Sequence, residues 1–478
     1  MAIVRMLLLL CAAGCALGRT ITFSEIYSRS VSNNTSIRLA QKDIDQLALN
    51  GKMLTHRFFP QLAVSFDIPN YNQVYPIVSA PRSVSQQLSV DPLGRVTYNQ
   101  KLPFNAAFAA SYGVEYYKYV TNSGRTAADR FVHDFSAAVS ATLFRSDTLD
   151  RDFAFNNEGV RLKKLTKTTV ERSFRYDVKR AYYDYLTRRE ISQNERLRLD
   201  GDAKNIEVVR QKFKSGIISE YALIDYEADF HRSLVLVKVS EDAAHTSENN
   251  LYYLINSDPN PADTIAAIPD ERVSVEKLTL PVAAMLVNVI SNSVDLANYG
   301  YTIFQNTENI RYFEQSCLPK IVPAVSVDFQ VSNNVLSSWT ALPLNLQASV
   351  TVAVPLFYEW IAAAQSIENN RITIESARLQ MNEKVRALKL KMRNDIITLE
   401  GAHFRFFHAK EQTELYRRDY EIAVDRFNVG SIGSWEMIDI KNRFYDNFNT
   451  YISVKYAYLS QIALIERDYY IDYGARYE

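Results

Sequence analysis

The 478-residue chain carries 54 Lys plus Arg against 54 Asp plus Glu, so it is formally neutral at pH 7. That balance leaves no global charge that points to nucleic acid or to an acidic surface, and no nucleic-acid partner is expected. The length suits two or three ordinary domains or one elongated one, and 30 Tyr with 24 Phe suit a core, an interface or a membrane–water boundary.

Residues 1–18 read as a secretory signal. Arg5 gives the positive start, residues 6–13 the short apolar core, and Ala16, Leu17 and Gly18 the small-residue cleavage site. Residues 12–15 also fit a weak lipobox, which offers Cys15 as a lipidation site. Cleavage at Gly18 leaves Cys317 alone, so no intramolecular disulfide is expected. No later apolar run reaches the roughly 18 residues of a membrane helix. An exported chain of this kind therefore enters a membrane only as strands.

Two distant parts of the chain share one plan. Ile21 to Ile26 align with Leu280 to Met285, Asn33 with Asn292, Ile37 with Leu296, and Phe59-Pro60 with Leu318-Pro319, all 259 residues apart. Farther on, Leu143-Phe144 match Leu356-Phe357 at an offset of 213, and Phe213 to Gly216 match Phe427 to Gly430 at 214. Each half is expected to hold a helix, a strand pair and two long helices joined by a glycine turn. The drop in offset places 46 extra residues in the first half, within 67–134. Pro69, Pro76, Pro81 and Pro92 make part of that insertion read as an exposed loop.

Strand patterning is clear. Leu346, Ala348, Val350, Val352 and Val354 alternate with Asn345, Gln347, Ser349 and Thr351, and Val325, Val327, Phe329 and Val331 with Ser326, Asp328, Gln330 and Ser332. Phe104, Ala106, Phe108, Ala110, Tyr112, Val114 and Tyr116 form one face in the first half, and residues 116–119 read as an aromatic girdle. One apolar and one polar face fits a barrel wall with lipid outside, or equally a soluble sheet on a core. In lipid an open sheet edge is excluded, so strands of several chains would have to complete one barrel.

Long helices follow from the absence of proline. After Pro355 there is none, and the glycines are Gly401, Gly430, Gly433 and Gly474. A helix from Glu359 to Phe427 would run roughly 100 Å, with Val385, Leu388, Met392, Ile396 and Leu399 as its apolar stripe. Phe174, Val178, Ala181 and Tyr185 repeat the pattern in the first half. The helical turns are expected near 214–220 and 428–434. The prolines at 259, 261 and 269 mark 257–277 as a linker between a first repeat, 19–256, and a second, 278–478.

The chain resembles the TolC-type outer-membrane efflux proteins, the outer-membrane factors, along nearly all of its mature length. The resemblance is carried by Ile21-Thr22-Phe23-Ser24-Glu25, Asn33-Asn34-Thr35-Ser36-Ile37, Phe59-Pro60-Gln61-Leu62, Ala181-Tyr182-Tyr183-Asp184-Tyr185-Leu186, Pro355-Leu356-Phe357 and Phe427-Asn428-Val429-Gly430-Ser431, in this order and spacing. It implies an α+β membrane protein that forms a homotrimer, with a twelve-stranded barrel in outer-membrane lipid and an α-helical tunnel in the periplasm. It further implies a periplasmic adaptor and an inner-membrane transporter as partners in efflux or type I secretion, without enzymatic activity or cofactor.

By the same resemblance Glu436 and Asp439 ring the periplasmic entrance, and Phe427, Ile432, Trp435, Tyr221 and Asp225 constrict it. Gly216, Gly430, Ser431 and Gly433 lie in the turns that contact the adaptor. Departures are evident: Phe427 replaces the family's gate Tyr and Ile432 its gate Arg, while Tyr221 and Ala222 replace a Thr-Asp pair. A polar latch is therefore not expected, and apolar packing takes its place. No catalytic set is legible, and His403 and His408 are spaced off one helical face, so no metal pair is expected. The alternative reading is a helical scaffold, periplasmic or surface-attached through Cys15, with a soluble sheet and no pore.

Overall fold

The computed structural model describes residues 20–66, 70–74, 85–121, 126–144, 148–255, 264–265, 268, 280–332 and 344–472. The signal segment with Cys15, and the linker 257–277 apart from residues 264–265 and 268, lie outside them. The chain divides into two compact units. One comprises Met1–Lys42, Lys163–Ala297 and Met381–Glu478, the other Asp43–Leu162 and Asn298–Gln380.

The first unit is helical. Its N-terminal strand β1 (Thr20–Ile21) leads into α1 (Phe23–Asn33), and α2 (Thr35–His56) follows after the single residue Asn34. The second half repeats this with α5 (Val282–Asn292), Ser293 and α6 (Val294–Ser316). Both breaks are capped alike: Asn34 Oδ1 accepts from the Ile37 amide at 3.0 Å, and Ser293 Oγ from the Leu296 amide at 3.4 Å. Ile37 and Leu296 are both buried. A short side-chain acceptor ahead of a helix satisfies one of its orphan amides, which is why the chain restarts at these two places 259 residues apart.

Four long helices follow the plan expected from the missing prolines. They are α3 (Thr148–Lys214), α4 (Glu220–Leu254), α7 (Tyr358–Asn428) and α8 (Ser434–Tyr469). In the first unit they pack around an aromatic-rich core that includes Phe174, Tyr182, Tyr183, Leu186, Met392, Phe406, Tyr451, Tyr456 and Tyr458. The rings of Phe406 and Tyr458 stack at 5.5 Å. Buried charges are paired: Lys179 Nζ lies 2.8 Å from Glu466, and Lys455 Nζ 2.7 Å from Glu190, to which the Tyr456 hydroxyl also donates. β1 runs parallel to β7 (Thr264–Ile265), and Arg189 Nη1 donates to the Ile265 carbonyl at 2.6 Å.

The second unit holds the sheet. Its strands are β2 (Gln61–Ser65), β3 (Asn70–Val74), β4 (Ser85–Leu102), β5 (Ala106–Thr121), β6 (Thr126–Ala141), β8 (Lys320–Ser332) and β9 (Leu344–Ala353). The order is β2-β4-β5-β6-β8-β9, antiparallel at every step, with β3 also on β4 beyond β2.

The strand pair expected for the first half, with residues 67–134 as an exposed insertion, is not what the sheet contains. That segment holds β3, β4, β5 and the start of β6, and the β4–β5 hairpin sits between β2 and β6. Proline misled the reading because Pro92 falls where the β4–β5 register shifts, between Val90 and Gly94, a bulge where a missing amide costs no ladder bond. Phe104, expected on a strand face, instead occupies the hairpin turn. It and Asn105 take φ of 61° and 56°, and its ring is almost wholly exposed. The side chains of residues 116–119, the expected girdle, lie outside the described residues.

Candidate functional site

Pairing register, not strand patterning alone, shows how the sheet's faces are built. Ala137 of β6 pairs with Ala110 of β5 and Val327 of β8, and Val327 pairs with Leu346 of β9. Ala110 pairs in turn with Tyr98 of β4, and Tyr98 with Leu62 of β2. One apolar row thus crosses the whole sheet. Tyr112, Phe135 and Phe329 make the next row with Val96 and Val64, and the Phe135 and Phe329 rings stack at 4.8 Å. Leu62, Val64, Val325, Leu346, Val350 and Val352 all remain exposed on this face. An exposed apolar surface of this extent marks a face that something other than water covers, a membrane or another protein surface.

The opposite face is polar and internally bonded. Ser111 and Ser136 hydroxyls meet at 2.8 Å across β5 and β6. The Arg95 guanidinium on β4 lies 3.7 Å from Glu115 on β5 and 3.9 Å from Asp134 on β6. Asp328 accepts from Ser326 at 3.4 Å on β8. Lipid on one side and water on the other is the partition this pattern stabilises.

In the helical unit, the two turns expected near 214–220 and 428–434 share one backbone. α3 ends with Gly216 at φ 72° and α7 with Gly430 at φ 78°. The Ile217 amide donates to the Lys212 carbonyl at 2.9 Å and the Ser431 amide to the Arg426 carbonyl at 2.9 Å, while Gly216 and Gly430 donate to the carbonyls of Phe213 and Phe427. Each is a Schellman closure, in which a residue of positive φ satisfies two orphan carbonyls. Replacing Gly430 by Ala should destabilise the turn by about 1 kcal/mol, because an L side chain pays that in the left-handed region. No heavy atom lies within 4 Å of the added Cβ, so sterics do not contribute. Gly433→Ala, at φ −80°, is the matched control in a thermal-unfolding comparison.

The side chains at the turns are not equivalent. Phe427 is buried among Ile206, Val209, Tyr226, Ala423 and Met437, with its ring 5.7 Å from that of Tyr226. Lys212 Nζ lies 4.1 Å above the Phe427 ring and donates to its carbonyl at 2.8 Å. Phe427 is thus buried between the α3–α4 and α7–α8 hairpins, and Ile432 is half-buried against the same cluster. Tyr221 and Trp435 are about three-quarters exposed, Glu436 is exposed, and Asp225 is half-buried. Asp439 Oδ2 is 2.6 Å from Arg443, so the acidic pair expected at 436 and 439 carries a compensating cation that the residue spacing did not single out.

Above the turns lies a polar knot that sequence reasoning also missed. Lys441 Nζ on α8 is 2.5 Å from Asp202 on α3 and is paired with Asp229 on α4, and Ser233 Oγ donates to Asp202 at 2.5 Å. All four side chains are buried. Burial, and after it the carboxylates of Asp229 and Asp202, pushes the neighbouring Tyr226 hydroxyl up, so it stays protonated. The signal was present: Lys441 lies midway between Met437 and Tyr445, both buried, at a spacing of four. Among the described residues no His, Cys, Asp and Glu cluster could hold a metal, and no helix is long and apolar enough to cross a membrane.

Comparison with solved structures identifies the architecture. The chain superposes on CusC, a transmembrane channel, with a TM-score of 0.67 at 11% identity, covering 94% of this chain and 92% of that one. The chain has the TolC-type outer-membrane channel fold. The CmeC outer-membrane channel of Campylobacter jejuni matches with a TM-score of 0.64 at 12% identity over 95% of this chain and 86% of CmeC. The open-state MtrE outer-membrane channel of Neisseria gonorrhoeae matches at 0.63 and 14% identity over 93% and 88%. No family model and no curated protein matches the chain in sequence.

Proposed function

We propose that this protein is the outer-membrane exit channel of an efflux or type I secretion assembly, a homotrimeric conduit and not an enzyme. The observation that carries the reading is the continuous apolar face of the sheet backed by a polar, ion-paired one. Outer-membrane lipid covers the first face and water fills the space behind the second. The turns at Gly216 and at Gly430, Ser431 and Gly433 receive a periplasmic adaptor, which links the channel to an inner-membrane transporter. Small residues there let another helical hairpin approach closely.

At the entrance, Tyr221 and Trp435 supply exposed rings, and Ile432 the apolar backing. Asp225 and Asp439 add half-buried carboxylates behind them. Because Arg443 offsets Asp439, Glu436 is the main carboxylate of the ring. In planar bilayers the purified protein should form cation-preferring channels. Glu436→Gln should lower the cation preference by about twofold, since focused carboxylates raise local cation concentration. A protein that gives no conductance and stays monomeric in water without detergent is a scaffold instead.

A further inference from the structure

The β4–β5 hairpin lies within the sheet, between β2 and β6. We infer that it is built into the membrane wall, so that each chain contributes six strand positions, β2 and β3 filling one of them along successive stretches of β4, and three chains close an eighteen-stranded ring. This rests on the channel reading above and goes beyond it, since the resemblance implies four strands per chain and twelve in all.

Position is the first argument. An extracellular insertion would lie beyond the ends of the wall strands, yet Ala106 at the start of β5 pairs with Ala141 at the end of β6. The β4–β5 turn therefore sits level with the strand ends that lead into the long helices. Phe104 in that turn is 96% exposed, as is most of Phe144 after β6 and Phe357 after β9. Exposed aromatics at one level of a sheet are the mark of a membrane interface.

Chemistry is the second argument. The hairpin has the same two faces as the rest of the wall, with Phe108, Ala110 and Tyr112 on the apolar side in register with Val139, Ala137 and Phe135. Its polar side carries Arg95 and Glu115, bonded toward Asp134. A hairpin standing in water would have no use for the first face.

Closure is the third. β2, continued by β3 along the same side of β4, forms one free edge and β9 the other, and every residue of β2 and β9 is exposed. Because six is even, the edge strands run in opposite directions, and β9 of one copy meets β2 of the next as an antiparallel pair. The occupant of each edge is a second copy of this chain. Barrel diameter grows roughly linearly with strand number, so the outer mouth is about one and a half times as wide as a twelve-stranded one.

Ala110 and Val327 provide the test, because both pair with Ala137 and lie at one height. In a Cys317→Ser background, Ala110→Cys and Val327→Cys are labelled with bimane and reconstituted in vesicles of dibrominated phosphatidylcholine, whose bromines quench on contact. Quenching at both positions, to a similar extent, is the expected result. Quenching at 327 with none at 110 overturns the six-strand wall while leaving the channel standing. No quenching at 327 overturns the channel wall itself. Ala109→Cys, on the polar face, should react with a membrane-impermeant maleimide and escape quenching. Where Ala110→Cys fails to assemble, the strand count in a single-particle map of the unsubstituted protein decides between eighteen and twelve.

Discussion

Replacing Lys441 by Met should lower the midpoint of thermal unfolding by on the order of 10 °C, as expected for a loss of about 3–5 kcal/mol. The substitution conserves length and apolar stem but removes the cation held between Asp202 and Asp229, whose side chains are 4% and 7% exposed. Two carboxylates would then share a site closed to water, and neither has surface access to recover its hydration. The penalty arises from what is left behind rather than from the bond itself, because an intact buried ion pair contributes little net stability. Adding Asp202→Asn and Asp229→Asn to the Lys441→Met variant should therefore restore much of the loss. The measurement is melting of the detergent-solubilised protein, followed by circular dichroism. A single variant that melts within a degree or two of the parent would show that the knot is not structural.

Val350→Lys should abolish accumulation of assembled protein in the outer membrane. Val350 lies on the apolar face of β9, paired with Pro323, and is 66% exposed. A lysine facing lipid costs about 2–4 kcal/mol at the bilayer midplane and less toward the interfaces, and in the proposed trimer that cost recurs three times in one assembly. The neighbour Ser349, paired with Ala324, points to the opposite face. Ser349→Lys places the same charge on the same strand one residue away, in water, and should assemble normally. The comparison is read as membrane-inserted, heat-modifiable oligomer by gel. Equal assembly of both variants would mean that the apolar face does not meet lipid.

Much of the helical architecture was legible because helices punish proline so heavily that its absence over a long span is informative. α7 begins and ends within one residue of Glu359 and Phe427, the limits read from proline, glycine and apolar spacing. The turns were legible for a related reason, since Gly216 and Gly430 are needed at positive φ. Strand faces were also readable, but sheet topology was not. Nothing in the alternation of β5 says which strand it pairs with, and the prolines around 69–92 argued for a loop where Pro92 sits at a register shift. At the helical turns, the sequence could place Phe427 but not its burial, which depends on Tyr226 arriving from another helix. Arg443 and Lys441 escaped notice because charged residues on a long helix read by default as solvated.

The twin turns also bear on how many partners one channel can carry. Their backbones are alike down to the hydrogen bonds, but their side chains diverge: Tyr221 answers to Trp435, Asp229 to Arg443, and the half-exposed Phe213 to the buried Phe427. In the proposed trimer, a ligand that reads only the chain's bends would find two interchangeable seats per subunit and load the rim in sixes, whereas one that reads residues would find alternating seats and load it in threes.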